Sequence, residues 1–248
     1  MYSDVHSHLY EFDDISKEVM EARKLKVFSI FCNSVDLKSI KKSLEISREF
    51  SEVKCCLGLH PMDLLKLNEK EINEAFDFIS RNQNECIAFG ETGLDFKHAK
   101  IEKEKELQEK VFLKFIELSK EHGKPLIIHS RRAQKRVLEM ISENEAEKVL
   151  LHWFIGDRKL RKIAEEKNYF ISIGPGILFG EDYQKFAEKI PLKNLMLETD
   201  SPVPFEGQPA HSTWIPRIAE KLAEIKGIPE KELIEEISKN VKKLFKLK

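Results

Sequence analysis

Short apolar runs separated by longer amphipathic stretches recur along the whole chain, and this alternation restricts the fold more than any other feature of the sequence. The strand-like runs fall at 2–8, 27–32, 53–59, 86–91, 125–129, 148–152, 169–173 and 194–199. Helical patterns occupy 14–24, 37–50, 69–82, 102–122, 133–143, 158–167, 180–189, 212–226 and 229–247. Within 102–122, Leu107, Val111, Phe115 and Leu118 recur at steps of three and four residues, the period of one helix face. His122-Gly123-Lys124-Pro125 then supplies a glycine to end the helix and a proline to enter the next strand. Eight strands, each followed by a helix, in 248 residues predict an α/β fold, a single (β/α)8 TIM barrel spanning residues 1–248. A doubly wound open sheet uses the same local pattern and is the rival architecture. No Gly/Ser-rich linker, internal repeat or low-complexity tract divides the chain.

Composition narrows the function classes. Hydrophobic residues make up 41% and charged residues 34%, enough apolar material for one sizeable core and too much for a disordered chain. Lys and Arg number 42 against 43 Asp and Glu, a formal net charge of −1. A chain this balanced is not a general polyanion binder, so a nucleic-acid contact has to come from a local patch. The longest uncharged run, 168–180, is shorter than the roughly 20 apolar residues of a membrane helix. Met1-Tyr2-Ser3-Asp4 has neither the basic nor the apolar region of a secretion signal. Cys32, Cys55, Cys56 and Cys86 lie in apolar runs without a C-x-x-C pair. Buried free thiols and a cytoplasmic location are the expectation.

The chemistry concentrates in the histidines. Of 8 histidines, His6, His8, His60, His129 and His152 end or closely follow a strand-like run, and in a barrel those ends converge on the catalytic mouth. His98, His122 and His211 fall elsewhere. In Asp4-Val5-His6-Ser7-His8 the alternate residues point to one face of a strand. Two adjacent imidazoles suit a divalent metal, with Asp4 expected to orient one of them from behind. Glu91, between Gly90 and Thr92-Gly93, ends the fourth strand with a carboxylate that can bridge two cations. His129 and His152 follow strongly apolar runs, where an unpaired imidazole is costly. Asp200 follows Leu195-Met196-Leu197-Glu198-Thr199, and Ser201-Pro202-Val203-Pro204 breaks regular structure after it. Taken singly, each is a plausible core or turn residue. Together, His6, His8, Glu91, His129, His152 and Asp200 form a metal-ligating inventory sized for two adjacent divalent ions, Mg²⁺, Mn²⁺ or Zn²⁺.

These motifs carry a family likeness. Asp4-x-His6-x-His8, Gly58-Leu59-His60-Pro61, Gly90-Glu91-Thr92-Gly93-Leu94-Asp95, His129-Ser130-Arg131, His152-x-Phe154 and Glu198-Thr199-Asp200-Ser201-Pro202 together resemble the TatD-type metal-dependent deoxyribonuclease family. The likeness runs essentially the whole length, with Gly227 and Asn240 matching its closing helices. It implies an amidohydrolase-like TIM barrel and a DNase with 3′→5′ exonuclease activity. By the same resemblance, His6 and His8 bind one metal with Asp200, Glu91 bridges, and His129 and His152 bind the second. His60 then contacts the scissile phosphate. One departure is visible: the family's Asn-x-Pro beside a basic residue is replaced here by Glu206-Gly207-Gln208-Pro209-Ala210.

The expected substrate is DNA, a single-stranded 3′ end, met by a monomeric enzyme. Asp200 is the candidate catalytic base and Glu91 its catalytic partner. Arg131, nearest the metals, is the candidate phosphate contact. Arg132, Lys135 and Arg136 read as an ordinary solvated helix face, and 101–106 as an exposed helix start. Phe154 and Phe205, adjacent to site motifs, are candidates for stacking on bases. The competing reading is an amide or ester hydrolase with the same binuclear centre, such as an aminoacyl-tRNA deacylase. Hydrolases of that sort often carry a carboxylated lysine at strand four, where this chain has Glu91, with Lys97 only in the loop beyond.

Overall fold

The computed structural model describes residues 1–247 and has the barrel architecture that the alternation predicts. Its eight parallel strands are β1 (Tyr2–Ser7), β2 (Val27–Asn33), β3 (Val53–Leu57), β4 (Ala88–Asp95), β5 (Leu126–Arg131), β6 (Val149–Leu151), β7 (Phe170–Ile173) and β8 (Leu195–Leu197), paired in sequence order. Outside them run α1 (Ile15–Lys24), α2 (Leu37–Glu49), α3 (Pro61–Leu64), α4 (Glu69–Asn82), α5 (Glu102–His122), α6 (Gln134–Glu143), α7 (Arg158–Glu166), α8 (Glu181–Glu188), α9 (Ile215–Lys226) and α10 (Glu230–Phe245). A short hairpin of β9 (Pro204–Phe205) and β10 (Gln208–Pro209) lies in the loop after β8.

Local chemistry sets these boundaries. Asp36 and Ser39 form a capping box at the start of α2, and Asn68 and Glu71 form another at α4, pairing donors that a helix start otherwise leaves open. Gly123, at φ +61°, ends α5 in the left-handed conformation. Phe31, Phe89, Phe112 and Phe115 are fully buried between strands and helices. All four cysteines are free and buried. Among the described residues, no helix is long and apolar enough to cross a membrane.

The barrel closes at its mouth. Between β8 and β1 an isolated parallel bridge joins Ser7 to Ser201. His8 N–H donates to the Ser201 carbonyl at 2.7 Å, and Asp200 N–H donates to the His6 carbonyl at 2.9 Å. Three residues expected at the metal site thus carry the closing backbone bonds.

Three local expectations change. β4 continues through Asp95, so Glu91 sits inside a fully buried strand and not at its end. The glycines make this possible: a Cβ on Gly93, at φ +134°, would lie 2.1 Å from the His129 carbonyl oxygen of β5. The loop after Asp200 is not wholly irregular, because Glu206 and Gly207, at φ +50° and +76°, form the two-residue turn of the β9–β10 hairpin. Asp4 does not orient a metal-facing imidazole. It accepts from the Thr199 N–H at 2.9 Å, the Thr199 hydroxyl at 2.5 Å and the Ser212 hydroxyl at 2.7 Å, and from His6 only through the backbone N–H at 3.4 Å.

Asp4 therefore ties β1 to the β8 loop and to the turn before α9. Burial pushes its carboxyl up to about 7, against the opposing hydrogen bonds from Thr199 and Ser212. Truncating it strands these donors in a dry interior, which costs several kcal/mol in comparable cases. Asp4→Ala is predicted to lower stability by about 3 kcal/mol, a fall in Tm of roughly 6–12 °C for a chain of this size. A calorimetric Tm equal to that of the wild type would contradict this role.

Candidate metal centre

Glu91 lies at the middle of the mouth with 3% exposure, and its two carboxylate oxygens face different neighbours. Oε2 is 3.2 Å from His6 Nε2 and 3.5 Å from His8 Nε2. Oε1 is 3.0 Å from His129 Nδ1, 3.5 Å from His60 Nε2 and 3.7 Å from His152 Nε2. Asp200 approaches from the β8 loop, with Oδ1 3.2 Å from His8 Nε2 and 3.6 Å from His6 Nε2. Its Oδ2 is 3.9 Å from His152 Nε2. The structure thus brings His6, His8, Glu91, His129, His152, Asp200 and His60 into one cluster. Three overlapping trios within it, His6–Glu91–His152, His6–His8–Asp200 and His60–Glu91–His129, have ligand atoms close enough to share a cation.

Behind the cluster a second set of groups fixes which ring nitrogen faces inward. His8 Nδ1–H donates to the Asn33 carbonyl at 2.8 Å, leaving Nε2 for the cluster. His152 Nδ1–H donates to Glu198 Oε2 at 2.7 Å, and Glu198 is itself held by Ser172 at 2.6 Å and by the Trp153 N–H at 3.0 Å. His129 Nε2–H donates to Asp95 Oδ2 at 3.1 Å, turning Nδ1 toward Glu91. Asp95 in turn accepts from His98, by backbone N–H and by ring nitrogen, each at 3.0 Å. A ring nitrogen anchored on a carboxylate or carbonyl, with the other aimed at the site, is how metal-binding histidines are oriented.

His60 is set differently. Its Nδ1 accepts the Met62 N–H at 3.2 Å, capping α3, and burial lowers its pKa to about 4, keeping the ring neutral. With Nδ1 occupied as acceptor, the neutral ring carries its proton on Nε2 and offers the cluster an N–H donor, so His60 meets the third trio by distance and not as a ligand.

The donor set fits a divalent metal. Both ring nitrogens of His6 are buried and without any hydrogen-bond partner, an expensive condition for polar atoms, and Nε2 lies between Glu91 and Asp200. His6 also stacks on His152 at 3.6 Å between centroids and 11° between planes, a geometry unfavourable to two cationic rings. Burial, then the charge of His152, holds the His6 pKa below its usual value. A neutral, unpartnered, buried imidazole between two carboxylates fits a divalent cation of the borderline class.

The remaining titrations report the same packing. Burial opposes charge on every buried histidine, but Asp200 and Glu91 outweigh it at His8, raising the pKa to about 9. Glu198 and Asp200 do the same at His152, raising it to about 10. Burial also opposes ionisation of Glu91, yet the facing His60 and His6 hold its carboxyl well below the usual range. At Asp200 burial is likewise outweighed, by His152 and His8.

Around the cluster, the rim residues divide. Arg131 is exposed at the end of β5, and no ion pair engages it among the described residues. Arg136 is bound by Glu109 at 2.8 and 2.7 Å, and Lys135 lies 3.7 Å from Glu139, as a solvated helix face would have it. Phe154 is fully buried and has no face for a base, which corrects the expectation of stacking there. Phe205 is half-buried and packs on Trp153 at 5.0 Å and 30°. The groups that sequence reasoning left without a role are Asp95, Glu198 and His98. Two of them had a signal: Asp95 shares the strand face of Glu91 and Gly93, and Glu198 shares that of Asp200, each two or four residues away.

A barrel mouth that gathers oriented imidazoles around a buried glutamate is the arrangement of a metal-dependent hydrolase. The sequence profile described as "TatD related DNase" matches residues 3–246, and the chain belongs to that family. Human "Deoxyribonuclease TATDN3" is 34% identical over 98% of this chain and 93% of its own length. A Bacillus subtilis protein named as a metal-dependent hydrolase, YabD, is 29% identical over the full length of both. The crystal structure of the Escherichia coli TatD homologue YJJV superposes with a TM-score of 0.90 at 24% identity, covering 100% of this chain and 98% of that one.

The orienting carboxylates generate a prediction. Glu198→Ala and Asp95→Ala leave His152 and His129 unanchored, and loss of such partners typically weakens metal binding about 10–100-fold. Competition with a chelating indicator should show that loss for each variant, with the far-ultraviolet circular dichroism of the wild type retained. Wild-type metal affinity in both would remove their orienting role.

Proposed function

We propose that the chain is a deoxyribonuclease that removes nucleotides from the 3′ end of single-stranded DNA, using two divalent cations held at the barrel mouth. The carrying observation is the division of Glu91: one oxygen toward His6 and His8, the other toward His129, His60 and His152. A carboxylate used on both sides suits a bridge between two ions. In this reading His6, His8 and Asp200 would hold one cation and His129 and His152 the other, with Glu91 facing both sets. Membership of the TatD-related DNase family and the deoxyribonuclease name of its human relative support phosphodiester chemistry.

When bound, the ions supply Lewis acidity to the phosphate oxygens and lower the pKa of an attacking water. The rest falls to the chain. Asp200, kept ionised by the imidazoles around it, lies beside both ligand sets and is the group to orient the water and take its proton. His60 presents its Nε2–H beside Glu91 Oε1, where a donor stabilises charge building on a phosphate oxygen. Arg131, exposed one step beyond Ser130 on the β5 end and without an ion-pair partner among the described residues, offers a bidentate clamp for the same phosphate or the next. Mg²⁺ prefers oxygen donors while Zn²⁺ and Mn²⁺ accept imidazole, so the tightest-binding ion and the most activating one need not coincide.

Single-stranded oligonucleotides labelled at either end test this reading. The expected result is mononucleotide release from the 3′ end, lost on chelation and restored by Mn²⁺ or Mg²⁺. Glu91→Ala should reduce turnover by roughly 100-fold or more, the several kcal/mol that metal assistance contributes. Internal cleavage would overturn the direction. Deacylation of aminoacyl-tRNA without nucleotide release would replace phosphodiester chemistry by the ester reading.

A further inference from the structure

The flank of the barrel below the β6 and β7 loops carries a groove of about 520 Å³ between α7 and α8, lined by Gly156, Arg158, Arg161, Asp182, Lys185, Phe186 and Lys189. Four of these side chains are cationic and one is anionic, in a chain whose totals, 42 basic and 43 acidic residues, nearly cancel. The excess is therefore local. Part of the remaining acid is already engaged: Glu165 is paired to Arg161, which also donates to the Lys189 carbonyl at 2.8 Å. Lys185 lies 3.7 Å from both Glu181 and Asp182 at two-thirds exposure, in loose surface pairs. Arg158 and Lys189 are exposed and have no ion-pair partner among the described residues.

The cations at the start of α7 are placed against the helix dipole, whereas Lys185 and Lys189 at the end of α8 are placed with it. α7 is capped by Asp157, which accepts the Leu160 N–H at 2.9 Å, but its first turn holds no acidic residue and opens with Arg158 and Lys159, where the helix dipole disfavours positive charge. Its neighbour α8 follows the stabilising pattern, with Glu181 and Asp182 in its first turn. The upper end of the groove is continuous with the metal centre along the chain: Gly156 and Arg158 follow the metal-facing His152 by four and six residues. Apolar surface flanks that end, with Ile155 and Phe179 each 47% exposed on the loops leading into α7 and α8. The Trp153–Phe205 pair stands beside His152. Cations grouped in one groove, with apolar and aromatic surface on the adjoining loops, have the composition of a single-strand nucleic-acid track.

We propose that the α7–α8 groove holds the sugar-phosphate backbone of the substrate strand, with the 3′ end at the metal centre and the 5′ body leading away down the barrel flank. The occupant is a single-stranded polynucleotide, and the assignment rests on the reading of the mouth as a DNA-cleaving centre. Arg158 and Lys189 supply phosphate contacts at its two ends, and the loop residues Ile155 and Phe179 offer apolar faces to the bases between groove and mouth. The enzyme then favours long strands over short ones through affinity, with no change in the chemical step.

Charge reversal at the two exposed positions separates these effects. The double variant Arg158→Glu/Lys189→Glu and its charge-preserving counterpart Arg158→Lys/Lys189→Arg are compared with wild type in two assays. The first is fluorescence anisotropy of a labelled 20-nucleotide single strand, with chelator present so that nothing is cleaved. The second is turnover of a dinucleotide, which reaches only the mouth. The expected result is at least ten-fold weaker 20-mer binding by the reversed variant at low salt. The slope of log affinity against log salt should fall by about 1.4, or about 0.7 for each of two lost phosphate contacts. The charge-preserving variant binds as wild type does, and dinucleotide turnover is equal in all three. Unchanged 20-mer binding by the reversed variant, or equal losses on both substrates, would overturn the groove. A wild-type protein whose 20-mer binding depends on these two residues but which hydrolyses neither substrate keeps the groove and removes the reading of the mouth.

Discussion

A carboxylate buried in the mouth of an apolar barrel survives only if positive charge or strong donors reach it from every side, and Glu91 meets that requirement on both oxygens. Desolvation alone would drive its proton back on; the surrounding imidazoles reverse that tendency. Everything else near the mouth follows from satisfying this group. His6 comes from the first strand and His8 from the residue after it, His129 from the fifth strand, His152 from the residue after the sixth, and Asp200 from the loop after the eighth. The barrel is the device that brings chain segments nearly 200 residues apart to within hydrogen-bond distance.

The supporting groups show how much of the fold serves the orientation of a few nitrogens. Asp95 and Glu198 are buried carboxylates, each with a histidine on one side and further donors on the other. A freely rotating imidazole would offer the wrong nitrogen about as often as the right one. Anchoring it settles the tautomer before any ion arrives, which lowers the entropy lost on binding. The backbone bonds that close the barrel belong to His6, His8 and Asp200, so the residues that seal the barrel also line the site.

Much of this was legible in the chain. The eight-fold alternation carried the architecture, because a strand and a helix differ in period and each βα unit repeats the same contrast. The positions of His6, His8, Glu91, His129, His152 and Asp200 were legible because polar residues at the ends of apolar runs have few places to go. What escaped was set by side-chain direction and by partners distant in sequence. Asp4 lies in step with His6 and His8, yet its carboxyl turns to Thr199 and Ser212, which no spacing rule reveals. His98 had no strand to place it, and its link to Asp95 depends on the turn after β4. The β9–β10 hairpin was hidden by prolines that read as breakers, although Glu206-Gly207 carried the turn chemistry for it. Phe154 adjoins a site motif but is buried in the core, because the chain turns after β6, with Trp153 at φ +40°, and the strand alternation no longer says where the ring goes.

The account stands or falls on where cations bind. Crystals grown with Mn²⁺ or Zn²⁺ and measured at the metal's absorption edge give that directly. The account predicts two anomalous peaks on either side of the Glu91 carboxylate, one within bonding distance of His6, His8 and Asp200 and the other of His129 and His152. A lone ion that leaves Glu91 untouched, or density only at sites away from these side chains, would contradict it.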